Sequence, residues 1–152
     1  VLTRIVVGRA DVVLEVRAAA PLMAALRAPV TARAVWLTAV LGADRPGRPA
    51  AVVVGPRDGE PRAAAFLFLR RRGVTTLVTV LGDGVGPAPG GVPTSRLLAR
   101  DEEAAGLLAD GIRELLGRLH GPRRLRLTGL PLGDPTVAPS RSRATTSCGL
   151  RP

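Results

Sequence analysis

Two glycine-bearing stretches carry the residue types that hold anions. The first is Leu81–Ser95, LGDGVGPAPGGVPTS, in which Gly82, Gly84 and Gly86 follow an apolar run. Glycines at that spacing let backbone N–H groups approach a phosphate when a helix begins directly behind them. Here Pro87, Pro89 and Pro93 intervene, and the next helical pattern waits until Asp101. The Walker sequence also needs a lysine, and the chain has none. The stretch therefore reads as a surface connector, with Gly82, Gly84 and Gly86 lining a cleft as the functional alternative. The second stretch, Arg70-Arg71-Arg72-Gly73-Val74-Thr75, half-matches a pyrophosphate signature, Arg/Gln-x-x-Gly-x-Gly/Ala. Arg70 and Gly73 fit as weak cofactor-binding candidates. Thr75 departs from it, and a strand pattern follows where a helix should start, so a charged hairpin turn is the competing reading.

Other chemistry is sparse. Phe66 and Phe68 fall on one strand face beside Arg70, an arrangement RNA-binding sheets use for stacking, yet with only two Phe and no Tyr it reads first as core. Trp36 reads as a packed core or cleft residue. His120, the single imidazole, follows a helix end, where it complements the dipole. Asp101, Glu102 and Glu103 open the same helix and suit its N-terminus for the same reason. No carboxylate accompanies a serine and histidine to complete a triad, so no catalytic residue is assigned. One cysteine, Cys148, and one histidine exclude an internal disulfide and a Cys/His metal cluster.

These residues must be placed by the elements around them. Thr3–Val7 and Val12–Arg17 are rich in Val and predict strands, the first alternatively a loose extension. Pro21 opens a short helix through Leu22, Met23 and Leu26, and Pro29 stops it. Thr31 predicts a cap for a helix over Ala32–Leu41, with Val35, Trp36, Ala39 and Val40 on one face and Gly42 ending it. Ala50–Val54, Arg62–Leu69 and Val74–Leu81 predict three strands. The Asp58-Gly59 turn and the Arg70–Gly73 turn join them into an antiparallel meander. Asp101–Leu119 predicts a long helix with Ala104, Leu108, Ile112, Leu115 and Leu119 down one side. Arg123–Thr128 alternates Arg and Leu, which predicts a strand with one buried face, paired parallel to Val74–Leu81. Ala138–Pro152 reads as a disordered tail after a domain over residues 1–137.

The chain has 152 residues, enough for one domain with a real core. Its formal charge of +10 invites a nucleic-acid partner. All 22 basic residues are arginine, however, while Lys, Asn, Gln and Tyr are absent. GC-rich coding explains that bias without a phosphate partner, so nucleic acid is not the leading expectation. No apolar run approaches the ~20 residues of a membrane helix, and charges interrupt the first thirty, so a cytoplasmic location is expected. The predicted class is α/β (α+β), a mostly antiparallel mixed sheet packed with helices.

The order of these elements resembles a known family. A helix carrying Trp36 is followed by Ala51–Val54, Arg57-Asp58-Gly59-Glu60, Ala63–Leu69, a strand ending in Leu81-Gly82, a loop, an amphipathic helix and Arg124–Pro131. This resembles the N-terminal half of the tandem acetyltransferase-fold (GNAT) proteins of the CelD and FemAB-like type, over about Ala20–Pro135. The resemblance implies a lobe that shapes an acceptor cleft for acyl or aminoacyl transfer to an amine. It implies acetyl-CoA held by a second lobe, so no cofactor within this chain, and a further C-terminal lobe or partner chain. Catalysis by this chain alone is not expected. The alternative from another class is an arginine-rich, non-enzymatic nucleic-acid-binding module. A third is an orphaned half-domain that dimerises through an exposed edge. No membrane and no metal partner is expected.

Overall fold

The computed structural model describes residues 2–85 and 97–128. Gly86, Cys148 and the tail predicted as disordered lie outside the described residues.

The chain opens with β1 (Leu2–Val7), then α1 (Arg9–Ala18), α2 (Ala20–Ala25) and, after a single 3-10 turn at Val30–Ala32, α3 (Ala34–Gly42). β2 (Arg48–Gly55), β3 (Ala63–Arg72) and β4 (Thr75–Val80) follow. A two-residue β5 (Leu98–Ala99), α4 (Glu102–Arg118) and β6 (Arg123–Arg126) complete it. The strands form one mixed sheet in the order β1-β2-β3-β4-β6, with β5 paired to β3. All pairs are antiparallel except β4 with β6, which is parallel. The α/β prediction, the meander and the parallel last strand therefore stand. Crossing from β4 back to a parallel β6 takes a long connection, and α4 is its covering layer.

Strand β2 after Arg48 and the first half of β3, Ala63–Leu67, are buried because helices cover both sides of them. On one face Ala51, Val53, Ala64 and Phe66 pack with Val12, Val16, Leu22, Met23, Leu37 and Leu41 of α1–α3. On the other, Ala50, Val52, Ala65, Leu67, Leu69 and Val78 pack with Leu108, Ile112 and Leu115 of α4. Helix α4 also buries Gly111, where an added Cβ would lie 2.5 Å from Val52 Cγ1 and 2.7 Å from Thr3 Cγ2. The lack of a side chain there sets how closely the helix lies on β1 and β2.

Five expectations need correction. Val12–Arg17 is helical, within α1. Its apolar residues look strand-forming, but Val12 and Val16 are four apart and both fully buried, while Leu14 is 63% exposed. Glu15, on another side of the same helix, reaches back to Arg4 on β1 at 3.2 Å. Thr31 is not the N-cap residue of a long helix: it lies in the 3-10 turn, and α3 starts at Ala34 behind Arg33, whose side chain makes no cap. The buried face of α3 is Leu37, Val40 and Leu41, with Val35 86% exposed. β6 has no buried face, all four residues being exposed, because α4 covers β1–β3 rather than the far edge. Finally, Arg70-Arg71-Arg72 is not a turn. It is the last stretch of β3, and the chain reverses at Gly73-Val74.

Candidate anion-binding cleft

That last correction builds the site. In register, Phe68 faces Thr79, Arg70 faces Leu77 and Arg72 faces Thr75. β6 continues the rows, with Arg124 beside Leu77 and Arg126 beside Thr79. Side chains directly opposite each other share a sheet face. Phe68, Arg70, Arg72, Arg124 and Arg126 therefore project on one side, the side that α1–α3 cover over Phe66. A cavity of about 290 Å³ opens there, lined by Arg45, Phe68, Arg70, Arg72, Thr79 and Arg126, with Gly82, Asp83 and Gly84 on its rim.

Arg45 comes from the loop after α3, and its guanidinium lies over the Phe68 ring, 5.5 Å from the centroid. Such a contact favours the cation through the ring quadrupole. Two residues on, Gly47 has φ +143°, and a Cβ there would sit 2.6 Å from Phe68 Cε1 and 2.7 Å from the Leu69 carbonyl. Only a residue without a side chain lets this loop lie so close to β3, and that approach delivers Arg45 to the ring.

The Leu81–Val85 segment turns tightly at the end of β4. Asp83 N donates to the Val80 carbonyl at 3.0 Å and Val85 N to the Gly82 carbonyl at 3.1 Å. Gly82 and Gly84 both have positive φ, so the residues considered as a phosphate loop make turns at the cavity rim, with no helix start at the described end of the loop. Gly82 packs beside Trp36 of α3: a Cβ on it would be 3.6 Å from the indole Nε1. That Nε1 is buried and has no hydrogen-bond acceptor among the described residues.

What marks this face is the convergence of charge on one cavity. Five arginines elsewhere form ion pairs: Arg4 with Glu15, Arg62 with Asp101 and Glu103, Arg100 with Glu60, Arg113 with Asp110 and Arg118 with Glu114. Others, such as Arg17, Arg27, Arg48 and Arg57, form none among the described residues, but they do not line this cavity. Among the described residues, none of Arg45, Arg70, Arg72 and Arg126 forms an ion pair, and Asp83 is the sole carboxylate in the cavity lining. Residues two apart on a strand are about 7 Å apart. Two unit charges at that distance repel by about 0.6 kcal/mol in water, less with salt. The unmatched arginines thus carry a small cost that a bound anion removes. A larger depression of about 490 Å³ beside the β2–β3 turn has a mixed lining of Arg4, Glu15, Arg57, Asp58 and Glu60. Arg4 there is already committed to Glu15 and to the Pro56 carbonyl, so it offers no comparable excess.

Of the residues singled out from sequence, Arg70, Gly82 and Gly84 meet at the cavity, while Gly73 sits apart in the β3–β4 turn with φ +59°. Phe66 is 5% exposed and buried with α1–α3, leaving Phe68 as the aromatic of the site. His120 is exposed beyond α4. Asp101 is the N-cap of α4, accepting from Ala104 N at 2.8 Å and from Arg62 at 2.8 Å. The Arg62 hydrogen bond, then the amide, hold its carboxyl below the usual range. Arg45, Arg72 and Arg126 went unrecognised. The signal for Arg72 was the every-other-residue series Phe68, Arg70, Arg72; Arg45 and Arg126 arrive through the loop and the strand pairing, which no local pattern announces. Among the described residues, no group of three His, Cys, Asp or Glu side chains could hold a metal, and no helix is long and apolar enough to cross a membrane. No protein-family model, curated protein or solved structure matches this chain.

Proposed function

We propose that this chain is a ligand-cleft lobe of the acyltransferase-like (GNAT, CelD and FemAB-like) type, which binds an acceptor and does not catalyse transfer with these residues alone. The observation that carries the reading is the order and pairing of the elements. A Trp-bearing helix, α3, leads to β2, the Asp58-Gly59 turn, β3, and β4 followed directly by Leu81-Gly82, then α4 and a parallel β6. That is the order the sequence resemblance implies, and the cavity sits where β4 ends. Its lining offers arginines, threonine and one aspartate, without the paired acid and base or activated nucleophile that acyl transfer needs. The test is a fluorescence titration of Trp36 with primary amines lacking phosphate or carboxylate, followed by thiol release from acetyl-CoA. Saturable binding of at least one amine without thiol release supports the reading. No saturable response to any amine at millimolar concentration removes it, and thiol release by the chain alone replaces it with an autonomous transferase.

A second reading, the nucleic-acid-binding module, is favoured by one observation: Arg70, Arg72, Arg124 and Arg126 form a contiguous face instead of being scattered among acids. It requires an affinity for single-stranded DNA that falls with salt at a log–log slope of about −0.7 for each phosphate neutralised. A flat salt dependence rejects it.

A further inference from the structure

We propose that the Arg45–Arg70–Arg72–Arg126 cavity binds a compact organic phosphate carrying at least two negative charges, with a hydroxyl or ammonium group of the same ligand facing Asp83. This rests on the reading of the cavity as the chain's ligand cleft, though not on acyl transfer itself.

The first argument is convergence without counterions. Arg113 and Arg118 on α4 and Arg62 next to β3 have carboxylate partners, whereas the four arginines that meet at this one cavity have none among the described residues. A guanidinium presents a planar fork of donors matched to phosphate oxygens, and a cluster without counterions is left to be neutralised by a ligand.

The second is rigidity. Arg70 and Arg72 stand on β3 and Arg126 on β6, both hydrogen-bonded to β4. Arg45 is seated on Phe68 through the close approach at Gly47. The backbone positions of three arginines and the side chain of the fourth are thus fixed before any ligand arrives, which lowers the ordering cost of binding.

The third is size and polarity. A volume of about 290 Å³ is at the small end for ligand cavities. It suits a phosphate or diphosphate with a small organic body. Thr79 adds a hydroxyl on the same floor, and Leu77 an apolar patch. Asp83, the one carboxylate in the lining, repels the phosphate and accepts from a donor, so it gives the ligand a direction. A nucleic-acid strand fits the face less well. Stacking surfaces use successive aromatic rings, and here Phe66 is buried while Phe68 already carries Arg45.

The experiment uses the full chain. Trp36 is the only tryptophan and there is no tyrosine, so intrinsic fluorescence reports the indole beside Gly82 at the cavity rim. Pyrophosphate is the probe, titrated at fixed ionic strength. A saturable response is expected, with the affinity falling at least tenfold in the double variant Arg70→Gln, Arg126→Gln and unchanged in Arg113→Gln, whose guanidinium lies on α4 paired with Asp110. The unfolding midpoint by circular dichroism reads the same binding independently of Trp36, since a ligand that binds only the folded state raises it. It also checks that each variant folds. No rise in midpoint and no saturable fluorescence change at millimolar pyrophosphate overturns the proposal. So does equal weakening by Arg113→Gln, which marks a general charge effect, or tighter binding of a dT oligomer that increases with its length, which marks a nucleic-acid surface. The amine titrations contain no anionic ligand, so their failure leaves this result standing and removes only the acceptor reading.

Discussion

Gly111→Ala is a direct test of how α4 is held on the sheet. The new Cβ would lie 2.5 Å from Val52 Cγ1 and 2.7 Å from Thr3 Cγ2, on two neighbouring strands. Carbon atoms at best contact are about 3.5–4.0 Å apart, so roughly 1 Å of separation must be found. Val52 is fully buried and cannot swing away, and α4, 17 residues long, must lift from β1 and β2 as a unit. Overpacking of this kind costs about 1–3 kcal/mol, against a helix-propensity gain of about 1 kcal/mol for replacing Gly by Ala. The expected net is a loss of up to about 2 kcal/mol, read as a lower urea midpoint at unchanged slope. Gly106→Ala is the internal control. It lies in the same helix with nothing within 4 Å of the added carbon, so it keeps the propensity gain and raises the midpoint by up to about 1 kcal/mol. Val52→Ala removes the carbon that the new methyl strikes, so the double variant with Gly111→Ala should be more stable than additivity predicts by about 1 kcal/mol or more. If Gly111→Ala stabilised as much as Gly106→Ala, α4 would not lie against β1 and β2 at the described distance.

Other changes probe the cap and the cleft. Asp101→Asn keeps a capping acceptor but removes a carboxyl that Arg62 holds below the usual range. A depressed folded-state pKa contributes stability above the unfolded value of about 4 and loses it as pH falls through the folded value. Urea midpoints between about pH 2 and about pH 6 should therefore fall less steeply in the variant, and parallel curves would contradict the ion pair. Trp36→Phe removes a buried N–H that has no acceptor among the described residues, so circular dichroism should place its stability within about 1 kcal/mol of the parent, or above it. A larger loss would mean that the indole N–H has an acceptor. Gly47→Ala should cost about 1–3 kcal/mol, because its Cβ meets the Phe68 ring and a backbone carbonyl, and should weaken pyrophosphate binding as the Arg45 contact opens. Unchanged affinity would exclude Arg45 from the site.

How much of this was legible beforehand follows from the range over which each feature is encoded. Helix α4 writes its apolar stripe, its acidic start and its Gly-Pro stop into adjacent residues, and it lies within a residue of its predicted span at both ends. The β2–β3–β4 meander is equally local, because short connections permit antiparallel pairing and little else. Val12–Arg17 misled because β-branched residues favour strands in general, whereas here the spacing of the two buried valines and the cover that β2 requires decide for a helix.

The cleft belongs to a third kind of feature. Arg70, Arg71 and Arg72 look identical as letters, and three charges before a glycine resemble a turn. Extending β3 by those three residues divides them between opposite faces, Arg70 and Arg72 towards the cavity and Arg71 away from it. The strand register then brings Arg126, more than fifty residues later, onto the face of Arg70. The covering helices supply the remaining condition. α1–α3 pack over Ala64 and Phe66 and leave the far half of β3 open, so an arginine row that burial would make costly stays in contact with water. A site built this way depends on where a covering layer stops. That is why its arginines were visible in the composition while their convergence was not.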